Sequence, residues 1–592
     1  MSGRIVLTAF LAVTSGLAQQ VCSPTPTYTP CDIVFELNDQ EAAAHSNPYV
    51  SVDIRAELRS PKARTILMPA FWDGGRRMVI RFSPIDAGNW DFRISSNLQR
   101  FDGKLGQVQA TESADPGFLR PANVHHWMYS ETRKAHLWMG DTFLDFPIAP
   151  QPTFEAYLEA RSQQKFNHVR GLVLGKPGEE KRAFTSAEMP VPAFFQQLDQ
   201  RMLALGKKGI FTDLVLAHDG KQLMDLFPGW KDRERFLRYV VARYAAMHLT
   251  WQLMAEFESY ADSRAVMKDL GTLIKSMDPY QHPRSTGTTA TSAPALPDGW
   301  MNFVQHESAD DAIGAIEHHV FPTPFVNSGF AKEADGADNF RKRLWNATMN
   351  GQYPSAILNS ANPDSASSKV MAGWYDFFAR TRWWELEPHY DVDGGRALAL
   401  PGVEYIVYVE KSDHVEILVE KHNYDVYWYN PVTGELIHEK KDFKGEKWAG
   451  EPPNKSQDWV LHLSRDGHKE GMRSWKFESR PNVMQEIEQN PQKMPFEIIE
   501  PVIDTLQISK PPKYAIKLKR ETRGTREMRY LWTGEVPTEL RGYRVLGTGA
   551  NGTLRIPAHL AKIFPAVFNI RLYALNAVGK VYAVDKVFRL SQ

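Results

Sequence analysis

Hydrophobic and polar positions follow two rhythms along this chain. Between residues 32 and 115 they alternate with period two, as in "YVSVDIRAEL", "RTILMPAF", "RMVIRFSP" and "NWDFRISS", and turn signals such as "DGG" at 73–75 and "DAGNW" at 86–90 separate the runs. Successive side chains of a strand point to opposite faces, so this pattern predicts half-buried strands joined into a small antiparallel β-sandwich. Over residues 120–384 the rhythm becomes strand then helix. "AHLWMGDTF" precedes "TFEAYLEARSQQKFN", in which Phe154, Tyr157, Leu158 and Arg161 share a helical face, and "HVRGLVLG" precedes "PAFFQQLDQRMLALGKKG", with Pro192 near its start and Gly206 and Gly209 near its end. "IFTDLVLA", "RERFLRYVVARYAAM", "LTWQLMAEF", "SRAVMKDLGTLIKSMD", "HPRSTGTT" and "WMNFVQHES" continue the series.

Repeated strand–helix units predict a parallel sheet, and over this length a closed (β/α)8 TIM barrel. A doubly wound sheet is the second reading, disfavoured because no Gly-rich phosphate loop follows the first strand. Alternation returns at 385–480 ("ALALPGVEYIVYVE", "HVEILVE", "YDVYWYNPVTGEL") and, after the charged, Pro-spaced "ESRPNVMQEIEQNPQKMP", again at 496–592. The fold class expected is multidomain α/β plus all-β, a barrel flanked by one N-terminal β-sandwich and two C-terminal β-sandwich domains. A chain of 592 residues is too long for one core, in keeping with several domains.

A barrel reading directs attention to the C-terminal strand ends, where the loops of such folds carry their chemistry. Polar residues close the apolar runs there: Asp141, Asp213, His218, Glu256, Glu258, His306 and Glu307. The stretch "WQLMAEFESY" is the most pointed, because Glu256 and Glu258 stand two positions apart just past a buried run that includes Trp251. Burial against Trp251 and Phe257, or repulsion from Glu258, would raise the pKa of Glu256 and suit it to proton donation. The alternative for Glu258 is an ion pair with an arginine such as Arg264. Asp141, Asp213, His218, Trp251, Glu258 and His306 are the candidate substrate-binding residues.

Composition narrows the function classes. With 70 Lys+Arg against 70 Asp+Glu there is no net pull toward nucleic acid. The opening "MSGRIVLTAFLAVTSGLAQQ" has one Arg, an apolar run and small residues before Gln19, the layout of a signal peptide over residues 1–18, so a secreted (periplasmic or extracellular) protein is expected. No later segment offers 18 consecutive apolar residues, and no transmembrane segment is expected. The two cysteines, Cys22 and Cys31, follow the expected cleavage point, and an oxidising compartment permits a disulfide between them. The pairs His125-His126 and His318-His319 invite a metal, but neighbouring residues of a strand diverge, so no metal site and no cofactor is expected. No G-x-S-x-G elbow supports a serine hydrolase. The basic residues between Lys510 and Arg529 are read as a solvated sheet face, with an acidic polysaccharide as the specific alternative. Nothing in the sequence specifies an oligomeric state.

Three resemblances sharpen this picture. "NPYVSVDIRAELRSP" with "AFWDGGRRMVIRFSPIDAGNWDF" resembles the immunoglobulin-like domain at the front of many bacterial glycoside hydrolases. "HLWMGDTFLDF", "FEAYLEARSQQKFNHVR", "YVVARYAAMHLTWQLMAEFESY" and "DPYQHPRSTG", across residues 125–390, are similar to apiosidase-like catalytic barrels. The segment 385–480, with "WYNPVTGE", resembles a β-domain named for collagen binding, although nothing in its residues points to collagen. The barrel resemblance implies hydrolysis of a polysaccharide or glycan side chain with Glu256 as acid/base.

The same resemblance expects a second glutamate after strand seven, yet the matching segment "NSGFAKE" puts Gly329 at that position. Three readings are open. Glu333 supplies the carboxylate if its loop folds back over the roughly 13 Å that four extended residues span; Glu307 supplies it from the preceding strand; or the barrel is a noncatalytic glycan-binding or adhesion protein. Retaining enzymes set their carboxyls about 5–5.5 Å apart and inverting ones about 6.5–9.5 Å.

Overall fold

The computed structural model describes residues 19–259 and 263–467, and beyond these 492–493, 496–498, 505–507, 513–518, 528–535, 543–553 and 567–591. The expected signal peptide lies outside the described residues, as does most of the Lys510–Arg529 stretch. The chain divides into two compact units, 1–113 and 114–592. Among the described residues no helix is long and apolar enough to cross a membrane.

The first unit holds a four-stranded sheet (Gln19–Val21, Cys31–Glu36, Arg77–Phe82, Phe71–Trp72) and a five-stranded sheet (Thr25–Pro26, Leu105–Thr111, Gly88–Ser96, Ile54–Arg59, Thr65–Pro69). Strict alternation in Ile54–Arg59 buries Ile54, Ala56 and Leu58 and exposes Arg55, Glu57 and Arg59, as the period-two pattern requires. Phe82 of one sheet meets Trp90 of the other, ring centroids 5.7 Å apart. Cys22 and Cys31 form a disulfide with Cα atoms 5.6 Å apart.

The second unit opens with an eight-stranded, all-parallel, nearly closed barrel: β1 (Gly140–Thr142), β2 (His168–Leu172), β3 (Phe211–Ala217), β4 (Leu249–Met254), β5 (Arg284–Ser285), β6 (Val304–His306), β7 (Phe325–Asn327) and β8 (Gln352–Ala356). The sheet runs β5-β4-β3-β2-β1-β8-β7-β6. The β5/β6 seam closes through the neighbouring loops: Asn302 N donates to Arg284 O at 3.0 Å, and Thr291 bridges to His306. Helices α1 (Gln151–Gln163), α2 (Pro192–Lys207), α3 (Trp230–Tyr244), α4 (Ser263–Met277), α5 (Asp311–Val320), α6 (Ala337–Thr348) and α7 (Ala366–Phe378) connect the strands.

Several polar residues that the sequence places at the rim are instead structural. Asp141 is fully buried; its Oδ2 accepts from Arg161 Nε at 2.7 Å and Tyr157 OH at 2.9 Å, and its Oδ1 accepts from Leu358 N at 3.1 Å. This pairing ties β1 to α1 and to the segment after β8. Asp213 is the third residue of β3 and not its end. It accepts from Thr250 Oγ1 at 2.8 Å and bonds His168 Nδ1 at 2.9 Å, at the centre of a buried polar chain that continues from His168 to His136, 2.9 Å between Nε2 atoms. Trp251 donates from Nε1 to Asp278 at 3.0 Å, and His306 bonds Glu317 at 2.7 Å; both are about 1% exposed. None of the four can touch a sugar, which corrects their assignment as substrate-binding residues. The physical reason is common to all: a buried polar group needs a partner, and each has one on a neighbouring element.

The barrel leads into a seven-stranded sheet, whose path runs Glu387–His389, Arg396–Leu400, Glu404–Val409, Trp459–Ser464, Val415–Tyr429 and Val392–Asp393, with Leu436–Gly450 paired to Val415–Tyr429. Trp428 is fully buried in that domain's own core, while Tyr429 packs toward the barrel among Trp345 and Phe377, so these aromatics form no open platform. Arg341 of α6 grips Asp458 through two charge-assisted bonds of 2.7 and 3.0 Å, and Tyr408 OH donates to the same carboxylate at 2.9 Å. A further antiparallel sheet built around Arg529–Glu535 and Val567–Leu575 covers α5, packing Leu531, Tyr573 and Leu575 on Ile313, Ala315 and Ile316. Arg529, counted in the expected basic face, turns inward to Asp311 at 3.3 Å.

The His-His pairs also depart from expectation. His125 lies in a turn whose preceding residues, Asn123 and Val124, have φ of 44° and 67°, so it does not alternate against His126, the first residue of the following strand. Both imidazoles approach Glu387, at 3.1 and 3.3 Å, and His318 of α5 joins them at 3.3 Å. His319 turns away to Tyr390 OH at 2.8 Å.

Two predictions concern this framework. Arg341→Ala leaves Asp458 charged and buried, and chemical denaturation should show a loss of about 3–5 kcal/mol. Burial works to raise the Asp278 carboxyl, but His282 and the bonds from His282 and Trp251 outweigh it and hold it at about 2. Against an unfolded value near 3.9, that depression contributes on the order of 2 kcal/mol above pH 4 and is lost as pH falls toward 2. Melting temperatures of Asp278→Asn should therefore decline less steeply than wild type between pH 4 and 2.

Candidate active site

All six residues of β4 are buried, so an acid could enter the barrel mouth only after the strand ends. Ala255 N and Glu256 N both donate to His218 O at 3.0 Å, which pins Glu256 just past β4 against the turn that follows β3. Its side chain is half-buried. His218, also half-buried, bonds Asp219 at 3.1 Å through Nδ1. Glu258 accepts from Thr288 Oγ1 and, at 3.0 Å, from Thr289 N. It therefore braces the loop after β5, while Arg264 pairs with Asp298 at 3.3 Å.

The mouth is organised by a residue the sequence reading passed over. Arg170, third in β2, is 3% exposed and reaches across the barrel: Nε donates to Gln252 of β4 at 2.8 Å, and Nη1 donates to Glu307 just past β6 at 2.6 Å. A methyl group at Gly287 would lie 2.2 Å from both the Ala255 carbonyl oxygen and Arg170 Nη2. Gly287 therefore faces both the Arg170 guanidinium and the peptide immediately before Glu256, with no room for a side chain between them. Arg170 Nη2 is buried and has no hydrogen-bond partner among the described residues. The available signal was a lone arginine inside the apolar "HVRGLVLG": a charge in mid-strand of a barrel must be neutralised across the lumen.

Gly329 has a geometric explanation. A Cβ there would sit 2.2 Å from the Glu307 carbonyl carbon and 2.6 Å from its Cα. No side chain fits, because the backbone of Glu307 fills the space into which it would project. Glu333 opens a short 3-10 turn, and its Oε2 accepts from Asn359 N at 2.7 Å, fastening the segment after β8. Among the described residues no hydrogen bond joins Glu333 to Arg170 or Glu307. The structure therefore brings Glu256, His218, Glu258 and Glu307 to the C-terminal rim, and Arg170 and Gln252 join them from the strands below. Asp141, Asp213, Trp251 and His306 are withdrawn into the walls. At the same rim, beyond β1 and β2, lies a shallow depression lined by Leu144, Ile148, Leu174, Glu179, Arg182 and Phe194; none of the predicted acids lines it.

Comparison with known proteins fits this geometry. Residues 123–351 match the family described as "Apiosidase-like, catalytic domain", and residues 25–97 match a domain of unknown function, DUF5060. No curated protein matches the chain. Among solved structures, a candidate glycoside hydrolase from Bacteroides vulgatus superposes with a TM-score of 0.64 at 17% identity, covering 74% of this chain and 99% of that one. A glycoside hydrolase family 5 protein from the same organism gives 0.51 at 14% identity, over 61% of this chain and 95% of that one. At such identities the likeness is one of fold. The chain carries a glycoside hydrolase-like barrel whose sequence matches an apiosidase-like catalytic domain.

Gly329→Ala should cost about 1–3 kcal/mol by overpacking against Glu307, measurable in urea denaturation; an unchanged midpoint would contradict the close approach.

Proposed function

We propose that this protein is a secreted glycoside hydrolase acting on a polysaccharide or glycan side chain, with Glu256 as acid/base and Glu307 as the second carboxylate. The observation that carries this reading is the placement of Glu256 just past β4 and of Glu307 just past β6, with Arg170 Nη1 holding the Glu307 carboxylate at 2.6 Å. Two acids on separate loops of one barrel mouth are what glycosidic cleavage requires: one carboxyl gives its proton to the departing oxygen, and the other, ionised, meets the oxocarbenium-like anomeric carbon. Glu256 is the proton donor. Glu307 works as the carboxylate, attacking the anomeric carbon or removing a proton from the water that does so. Arg170 Nη1 engages Oε1, which orients the group and leaves Oε2 for the reaction. His218 and Glu258 flank this centre as sugar-binding candidates. Secretion is supported by the Cys22–Cys31 disulfide and by the leader-like N-terminal sequence.

The test is a panel of plant, algal and microbial polysaccharides offered to wild type, Glu256→Gln and Glu307→Gln. Each substitution should lower sugar release by about 10²–10⁴-fold with the fold intact by circular dichroism. Glycan binding with no turnover in wild type would overturn the catalytic reading and support a binding or adhesion protein; full activity in Glu307→Gln would overturn its assignment.

A further inference from the structure

A second constellation of ionisable groups lies at the opposite end of the barrel. His125 and His126 belong to the segment leading into the barrel, His318 to the last turn of α5 just before β7, and Glu387 to the first strand beyond the barrel. The cluster therefore sits at the N-terminal face, remote from the strand ends that carry Glu256 and Glu307. All three imidazoles are at least nine-tenths buried, at 9%, 5% and 4% exposure, while the Glu387 side chain is 42% exposed and keeps a route to solvent.

The donor atoms are arranged as ligands. His125 Nδ1, His318 Nε2 and a Glu387 oxygen all lie within 4.8 Å of one another. A tetrahedral zinc centre with bonds of about 2.0–2.1 Å separates its ligand atoms by roughly 3.4 Å. The His125–Glu387 and His318–Glu387 separations are 3.1 and 3.3 Å. His125 Nε2 lies 3.2 Å from the Phe321 carbonyl, which turns Nδ1 toward Glu387 and the cluster. His126 Nδ1 is 2.7 Å from Tyr353 OH, which similarly turns Nε2 inward. His126 Nε2 and His318 Nε2 are buried and lack hydrogen-bond partners among the described residues, although each points at Glu387.

We propose that His125, His318 and Glu387 bind a divalent cation of the zinc class, with solvent completing the coordination through the exposed side of Glu387. Imidazole and carboxylate donors suit zinc and its first-row neighbours, whereas calcium or magnesium would demand more oxygen ligands. The three protein segments involved are far apart in sequence, so the ion is a clasp between the barrel floor and the first strand of the seven-stranded domain. This site is independent of the glycosidase reading.

Purified full-length protein, stripped with a chelator and titrated with zinc against a chromophoric competitor, should take up one equivalent. Cobalt(II) should give the visible d–d absorption of a four-coordinate site without thiolate charge transfer, since the only cysteines are bonded to each other. His318→Ala and the near-isosteric Glu387→Gln should weaken zinc binding by at least about 100-fold and abolish the zinc-dependent rise in Tm, whereas His438→Ala should change neither. Absence of zinc uptake and of the cobalt spectrum in wild type would overturn the proposal whatever the variants do. Unaltered affinity in Glu387→Gln and His318→Ala would also overturn it.

Discussion

Buried charge, never left without a partner, is the constraint on which the described barrel walls rest. The barrel strands are short, and β5 has two residues, so ladder hydrogen bonds cannot by themselves hold the ring. Side chains drawn from the walls supply the difference: Arg161 on Asp141, Arg243 of α3 on Asp199 of α2 with bonds of 2.8 Å, His306 on Glu317, and Asp278 shared by Trp251 and His282. A charge left alone in such an interior costs several kcal/mol, so each pair also enforces the placement of the elements that carry it.

The same constraint shapes the mouth. Arg170 can be tolerated in mid-strand only because Gln252 and Glu307 meet it across the lumen, and in meeting it they fix where the Glu307 carboxylate stands. The close backbone approach at Gly329 then follows, since the segment after β7 must run beside Glu307 with no side chain between them.

The architecture was largely legible in the sequence because periodicity reports it directly: period two in 32–115 and strand–helix repeats from 120 onward correspond to the observed sheets and barrel. The site was legible only in part. Polar residues near strand ends look alike in one dimension whether they face the lumen or a helix. Asp141 reads like Glu256 until Arg161, twenty residues later, is seen to close on it. Asp213 looks like a strand end because its run is apolar on both sides, yet it sits mid-strand and takes polar partners from the two flanking strands, His168 of β2 and Thr250 of β4. The histidine pairs failed for another reason: the alternation rule applies inside a strand, and His125 stands in a turn with left-handed neighbours.

Asp311 extends the logic beyond the barrel. Placed in the first turn of α5, it is paired at once with Arg396 of the seven-stranded domain and with Arg529 of the last sheet, and Asn350 donates to it at 2.6 Å. Three parts of the polypeptide thus share one anionic keystone. Accessory modules joined this way are not interchangeable cassettes: excising either removes one of the two arginines that balance the carboxylate, so shuffling them among related barrels requires transplanting the matching arginine as well.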